Sequence, residues 1–155
     1  IDLSKFYYAC FLHLFENLRE NSILFRNFDF GNVFVCPKTG YIKYINLDSF
    51  KQLKNQEDYC YTLIGKECYL TPEMINYSGY NYISNYFLLG VIMYEMLHGY
   101  NPFEDEDPMI TYQNILTENY KEITTDRDIK LLIKQLLTKS TSKRLGAGKR
   151  RVNEI

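Results

Sequence analysis

The sequence lacks tryptophan, an excess of either charge and any long run of apolar residues. Its 155 residues include 18 Lys and Arg against 19 Asp and Glu, which gives a formal net charge of −1. This balance gives no electrostatic reason to expect a nucleic-acid partner. The longest apolar stretch, 86–97, is interrupted by Gly90 and Glu95 and is much shorter than a membrane span. We therefore expect neither a nucleic-acid-binding protein nor a membrane-spanning one.

The sequence also lacks the cysteine spacing of a disulfide scaffold or a zinc site. Its four cysteines, Cys10, Cys36, Cys60 and Cys68, form no CxxC pair. The first residues carry no export signal of basic and then apolar residues. We predict reduced, mostly buried thiols in a cytoplasmic protein.

Apolar residues are abundant enough for one core, and the patterns along the chain are mainly helical. They make up 46% of the chain, including 15 Tyr and 10 Phe. No repeat, low-complexity stretch or linker divides the sequence. Helical spacing predicts a first helix, capped by Ser4 and ending near Asn21. Two short extended runs, 33–36 and 41–45, flank a Pro-Lys-Thr-Gly turn and predict a hairpin.

The second half of the chain predicts three more helices after a long, mostly irregular segment, 47–83. Ser84 precedes an apolar helix over 85–97, which belongs at the centre of the core. Asp107-Pro108 begins another helix. The last helix is amphipathic, with a stripe of Ile129, Leu132, Ile133, Leu136 and Leu137. The predicted fold class is mainly α, and α+β overall because of the hairpin.

This order of elements resembles the C-terminal lobe of a eukaryotic protein kinase. The segments 7–18, 71–75, 88–103 and 143–146 are most similar to the cyclic-nucleotide-dependent Ser/Thr kinases of the AGC group. The resemblance implies that 1–155 is a partial kinase domain, without the N-terminal lobe that carries the Gly-rich loop and strand lysine. It also implies ATP and Mg²⁺ as cofactors, none of them intrinsic, and a protein partner or substrate. Cyclic-nucleotide-regulated elements are expected elsewhere in the full protein.

The resemblance aligns the kinase catalytic loop with residues 25–32. In this register Arg26 and Asn32 keep the family residues, but Asn27 replaces the catalytic aspartate and Asp29 replaces the catalytic-loop lysine. A carboxamide cannot act as a base, and a carboxylate opposes the charge of the transferred phosphate.

The magnesium-binding aspartate falls after the predicted hairpin, where the chain has Asn46. The literal Asp-Phe-Gly string at 29–31 precedes the hairpin and is set aside. The amides of Asn32 and Asn46 lack the negative charge that a hard cation prefers in its ligands.

The resemblance gives roles to further residues. Thr62 matches an activation-loop phosphorylation site, with Arg26 and Lys51 as its basic pocket. Phe34 matches the floor of the nucleotide pocket. Glu95 and Lys66 match positions that contact the substrate. Glu73, Arg144 and Asn85 match structural positions. Because Asp29 replaces the family's lysine and Lys66 replaces the threonine beside that lysine, we also predict a salt bridge between Asp29 and Lys66.

We predict from these residues a kinase-like lobe that is impaired in catalysis and has a regulatory or scaffolding role. Two alternatives stay open. One is an active Ser/Thr kinase that uses Asn32 and an unusual metal geometry. The other is a protein-interaction module that binds no nucleotide, and the Asn substitutions are also compatible with neutral drift.

Overall fold

The structure is a computed structural model that describes residues 2–46, 48, 50–55, 58–121 and 126–148. Its elements, in chain order, are the following: α1 (Asp2–Glu20), β1 (Ile23–Phe25), β2 (Val33–Val35), β3 (Ile42–Tyr44), β4 (Phe50–Gln52), α2 (Pro72–Ile75), α3 (Ile83–His98), α4 (Pro108–Thr117) and α5 (Arg127–Leu136). Short 3₁₀ turns cover Phe30–Asn32, Glu67–Tyr69 and Thr141–Lys143. The predicted fold class, mainly helical with a small antiparallel hairpin, is confirmed.

Helix α3 forms the centre of the core, as its apolar sequence predicts. Every residue from Ser84 to Tyr94 is buried, and the helix packs against both α1 and α5. It ends at Gly99, which takes a left-handed conformation with φ 77°. A residue without a Cβ adopts that conformation at little cost, so glycine suits this end of the helix. Helix α3 thus connects α1 with α5.

The contact between α3 and α5 depends on the missing side chain at Gly90. A Cβ placed there would lie 2.8 Å from Leu137 Cδ2 and 3.0 Å from Leu136 Cβ. We expect Gly90→Ala to destabilise the protein by about 1–3 kcal/mol, because overpacking outweighs the better helix propensity of alanine. Urea unfolding monitored by circular dichroism measures the effect. The exposed substitution Gln113→Ala on α4 is the control, and an equal effect of the two would contradict the packing argument.

Helix boundaries differ from the predictions at two caps. Ser4 lies inside α1, and Ser84 lies inside α3 rather than before it. The Asp107-Pro108 start is confirmed, since the Asp107 carboxylate accepts a hydrogen bond from the Met109 N–H. Asp126 caps α5 in the same way, a start that the sequence analysis missed.

The predicted hairpin is confirmed as β2 paired with β3, with Val33 opposite Tyr44 and Val35 opposite Ile42. The described residues of the segment 47–83 form more backbone pairings than predicted. Strand β4 pairs with β1, with Phe25 opposite Phe50, and an isolated bridge joins Cys60 to Tyr80. The sequence could not predict these pairings, because they join residues far apart in sequence and a three-residue strand shows no periodicity.

The four cysteines are free thiols, of which only Cys60 and Cys68 are buried. Within the described part of the chain, no helix is both long and apolar enough to cross a membrane.

Candidate functional site

The loop that connects β1 to β2 is held in place by the ring of Phe28. This ring is 1% exposed and lies 4.9 to 6.2 Å, between centroids, from five other aromatic rings. These rings belong to Phe11, Phe25, Phe30, Tyr44 and Tyr69. Aromatic pairs at such distances add stability beyond the area they bury. The cluster therefore fixes the backbone that carries Asn27 and Asp29 on either side of Phe28.

Asn27 lies where this loop meets the segment 58–71. The Tyr44 hydroxyl donates a hydrogen bond to the Asn27 carbonyl oxygen at 2.9 Å. The backbone of Gly65, with φ 123°, approaches so closely that a Cβ there would lie 3.5 Å from Asn27 Oδ1. The structure thus positions Asn27 firmly, but its amide has no proton-accepting group comparable to a carboxylate.

Asp29 forms its hydrogen bonds within its own loop. Its Oδ1 accepts a hydrogen bond from the Gly31 N–H at 2.9 Å, and its carbonyl oxygen accepts one from the Asn32 N–H at 3.0 Å. This arrangement caps the 3₁₀ turn Phe30–Asn32. Short acidic side chains favour such caps because they satisfy free backbone donors.

The predicted salt bridge between Asp29 and Lys66 is wrong. Lys66 Nζ lies 2.9 Å from Glu104 Oε1, in the loop between α3 and α4. Its nitrogen also lies 5.8 Å from the centre of the Tyr69 ring. The ion-pair partner of Lys66 is therefore Glu104, from a segment distant in sequence, and not Asp29.

Asn32 directly precedes β2 and Asn46 follows β3 by two residues, so both belong to the open end of the β2–β3 hairpin. The Ile45 N–H donates to the Asn32 carbonyl oxygen at 3.1 Å, continuing the strand register. Asn46 Oδ1 accepts a hydrogen bond from the Asp48 N–H at 3.1 Å, which ties the amide to a local turn.

The donor set around this pair does not fit a magnesium ion. The side chains of Asn32 and Asn46 are neutral amides, whereas Mg²⁺ is usually held through carboxylates. Among the described residues, no group of three or more His, Cys, Asp or Glu side chains could hold a metal ion. No catalytic step is therefore assigned to a metal at these residues.

The structure connects Thr62 with Arg26 through Tyr80. Thr62 is exposed, and its carbonyl oxygen accepts a 2.7 Å hydrogen bond from the Tyr80 hydroxyl. Burial raises the pKa of Tyr80, and the nearby Arg26 guanidinium acts against that rise. Lys51 lies on β4, directly opposite Leu24 of β1. Leu24 is two residues before Arg26 in the sequence.

Glu95 is already engaged by the protein. Its carboxylate accepts hydrogen bonds from the Tyr69 hydroxyl at 3.0 Å and from Asn101 Nδ2 at 3.3 Å. Burial raises the pKa of Glu95 even though these hydrogen bonds oppose the rise. This network could not be predicted from the sequence, because nothing in the spacing of the three residues indicates their contact.

Glu73 and Arg144 form a buried ion pair. Arg144 Nη1 and Nη2 donate to the two Glu73 carboxylate oxygens at 2.7 and 2.8 Å, and the Ser84 hydroxyl donates to Oε1 at 2.6 Å. Burial alone would raise the pKa of Glu73, but Arg144 and Ser84 hold it below its ordinary value. Arg144 also donates to the carbonyl oxygens of Ile83 and Thr138. The pair therefore joins α2, α3 and the segment after α5.

Two predicted positions remain, Asn85 and Phe34. Asn85 is 3% exposed, and its Nδ2 has no hydrogen-bond partner among the residues described. Phe34 is 51% exposed on the hairpin, beside the equally exposed Val35.

These elements in this order define a protein-kinase-like lobe, and comparison with known proteins agrees. A family profile described as "Protein kinase domain" matches residues 2–152. The chain is 36% identical over 145 residues to the cAMP-dependent protein kinase catalytic subunit of Dictyostelium discoideum. It is 35% identical over 145 residues to cAMP-dependent protein kinase type 3 of Saccharomyces cerevisiae. It is also 33% identical over 151 residues to the human cAMP-dependent protein kinase catalytic subunit PRKX.

The chain belongs to the protein kinase domain family. Its similarity to cAMP- and cGMP-dependent kinases identifies it as AGC-like. These matches cover 93%, 93% and 97% of the chain but only 22%, 35% and 41% of the three relatives named above. The chain thus spans less than half the length of each of these relatives.

Proposed function

We propose that this chain is the helical lobe of a kinase-like domain that is impaired in phosphoryl transfer and acts in a regulatory or scaffolding role. The observation that carries the proposal is the set of side chains at the catalytic loop. Asn27 and Asn46 are amides, and Asp29 is engaged in capping its own turn. We place its action in the cytoplasm, where four free thiols stay reduced.

The expected size of the rate loss supports the proposal that phosphoryl transfer is impaired. Losing a general base costs about 10²- to 10⁴-fold in rate, or roughly 3–5 kcal/mol of barrier. Phosphoryl transfer depends further on neutralising the charge of the phosphate, and Asp29 adds negative charge instead. The losses act on one step and are not additive, but each acts in the same direction.

The scaffold, by contrast, is intact. The Glu73–Arg144 pair, the apolar helix α3 and the aromatic cluster around Phe28 all form. A lobe of this kind offers a stable surface to a protein partner, and Phe34 would contact a nucleotide if one binds.

Transfer of radiolabelled phosphate from ATP to a protein substrate tests the proposal on the full-length protein. We expect no transfer above that of a heat-denatured sample. Sustained transfer that Asn32→Ala abolishes would show that the site works with an amide ligand and would overturn the proposal.

We further propose that Thr62 accepts a phosphate that orders the segment 58–71 without catalysis. The Tyr80 hydroxyl donates a hydrogen bond to the Thr62 carbonyl oxygen, and the Arg26 guanidinium interacts with the same Tyr80. Arg26 is therefore the cation that we propose to pair with a phosphate on Thr62. We expect Thr62→Glu to slow hydrogen exchange of residues 60–63 several-fold relative to Thr62→Ala. The difference should disappear in an Arg26→Gln background. The exposed Thr39, in the hairpin turn, is the control position, and identical exchange of the Thr62 variants would contradict the idea.

A further inference from the structure

The extended segment before Thr62 exposes two aromatic rings on one side. Cys60 is 1% exposed and its backbone forms a bridge to Tyr80, whereas Tyr59 and Tyr61 are 56% and 63% exposed. Alternate residues of an extended segment point to opposite sides, so the buried Cys60 places both tyrosines on the outer side. Exposed apolar surface that is grouped in this way, unlike a single exposed residue, marks an interaction site.

Both rings pack on the backbone of Gly79, in the segment that pairs with Cys60. A Cβ at Gly79 would lie 2.9 Å from Tyr61 Cε1 and 3.3 Å from Tyr59 Cδ1. The missing side chain thus lets both rings contact the chain there. Rings that are already in contact with the protein lose less conformational freedom when a ligand binds, which favours binding.

A pocket with a volume of about 370 Å³ is lined by these two rings and by polar side chains, among them Glu73, Asn81 and Thr141. Glu73 is the only charged residue among the described residues that line it. Its carboxylate is already neutralised by two hydrogen bonds from Arg144. The pocket therefore offers no free charge to an occupant.

Asn81 supplies a hydrogen-bond donor that the protein does not use. The residue is 7% exposed, and its Oδ1 accepts a hydrogen bond from the Ile83 N–H at 3.0 Å, which fixes the orientation of the amide. No described residue accepts a hydrogen bond from its Nδ2, and this nitrogen, unlike that of Asn85, is not sealed from solvent. Polar groups of buried residues rarely lack a partner. An occupant with a carbonyl oxygen would supply one.

We propose, building on the scaffolding role given above, that this pocket binds a proline-rich segment of a protein partner in the polyproline II conformation. A segment in this conformation uses no backbone carbonyl internally, so one is free to accept from Asn81 Nδ2. Its proline rings pack on Tyr59 and Tyr61, as such segments do in aromatic-lined grooves. An α-helix suits the pocket less well because its carbonyl oxygens are used within the helix. A phosphate group would find no free cation in the lining.

The test measures the affinity of the full-length protein for three end-capped, fluorescent peptides of about fifteen residues, by anisotropy and without ATP. The peptides are polyproline, alternating Gly-Ser and an alanine-rich helix. Two variants address the pocket. Tyr61→Ser removes an exposed ring, and Asn81→Asp removes the donor but keeps the acceptor for the Ile83 N–H. Tyr77→Ser is the matched control, because Tyr77 is 62% exposed and does not line the pocket.

We expect polyproline to bind with a dissociation constant below about 1 mM and at least about tenfold more tightly than the other two peptides. Tyr61→Ser and Asn81→Asp should each weaken its binding about five- to tenfold, the effect of one aromatic contact or one hydrogen bond. Tyr77→Ser should leave the affinity unchanged.

Four results would overturn the proposal. They are unsaturated binding of polyproline, equal binding of the Gly-Ser or helical peptide, unchanged affinity in either pocket variant, and an equal loss in Tyr77→Ser. A dimer in sedimentation that Tyr61→Ser dissociates would also overturn it, by assigning the pocket to a second copy of the chain. Radiolabel transfer from ATP decides separately whether catalysis is impaired, so either proposal can fail without the other.

Discussion

Replacing Arg144 with methionine is expected to destabilise the protein by about 3–5 kcal/mol. The change leaves the Glu73 carboxylate buried without its cation, and such single-sided losses are among the most costly substitutions. It also removes the donors to the carbonyl oxygens of Ile83 and Thr138. Because whole domains are stable by only about 5–15 kcal/mol, urea unfolding should show a large fall in the transition midpoint.

Two further variants distinguish a buried charge from a merely lost contact. Lys66→Met breaks an ion pair that is about half exposed on both sides, so we expect less than about 1 kcal/mol. The double variant Glu73→Leu with Arg144→Met removes both charges and should be more stable than Arg144→Met alone. An effect of Arg144→Met as small as that of Lys66→Met would contradict this account of the pair.

The same pair predicts a pH dependence of stability. The pKa of Glu73 is lowered in the folded protein, so its contribution is fully present above the pKa of the unfolded chain. This contribution is lost as the pH falls through the folded pKa. Glu73→Gln should therefore reduce the slope of unfolding free energy against pH below about pH 4.5, the region where an ordinary glutamate titrates. A native-like acid slope in Glu73→Gln would assign the pH dependence to other carboxylates.

The second large effect is a gain of activity. Restoring the family residues with Asn27→Asp, Asp29→Lys and Asn46→Asp supplies a base, a cation at the phosphate and an anionic metal ligand. We expect the rate of phosphoryl transfer to rise at least about 100-fold, the lower end of what a general base contributes. Hydrogen bonds already hold the Asn27 carbonyl oxygen and the Asn46 side chain at their positions, whereas Asp29→Lys removes the cap on the Gly31 N–H.

A matched control carries the same changes of charge elsewhere. Asn21→Asp, Asn119→Asp and Glu106→Lys lie at exposed positions outside the site. This triple variant should leave the transfer rate unchanged. An equal rise in both triple variants would show that general electrostatics, rather than the catalytic positions, limits the rate.

Sequence reasoning predicted the elements whose signal is local. Helix α3 and the β2–β3 hairpin follow from apolar spacing and turn residues within a few positions of one another. The β1–β4 ladder could not be predicted, because each strand has three residues and the pairing joins Phe25 to Phe50 across 25 positions. Long-range pairing of short strands depends on the packing of the whole lobe.

The site shows the same division. Positions 27, 29, 32 and 46 were assigned from the resemblance of the motif order to the family, and their roles stay predictions. The charge partner of Lys66 was predicted wrongly, because Glu104 reaches it from a loop 38 residues later. The Glu95–Tyr69–Asn101 network was missed for the same reason. A charge pattern in the sequence indicates that a side chain has an ion-pair partner. Which residue is that partner depends on the fold.

Our main proposal is that the substitutions at 27, 29 and 46 impair phosphoryl transfer in an otherwise intact lobe. Its most direct test is the initial rate of radiolabel transfer from ATP, measured side by side for the native full-length protein and for the restored triple variant. Unfolding curves of both proteins verify that each is folded. We predict background transfer by the native protein and at least about 100-fold more by the restored one. Native transfer as fast as that of the restored variant, lost on Asn32→Ala, would contradict the claim.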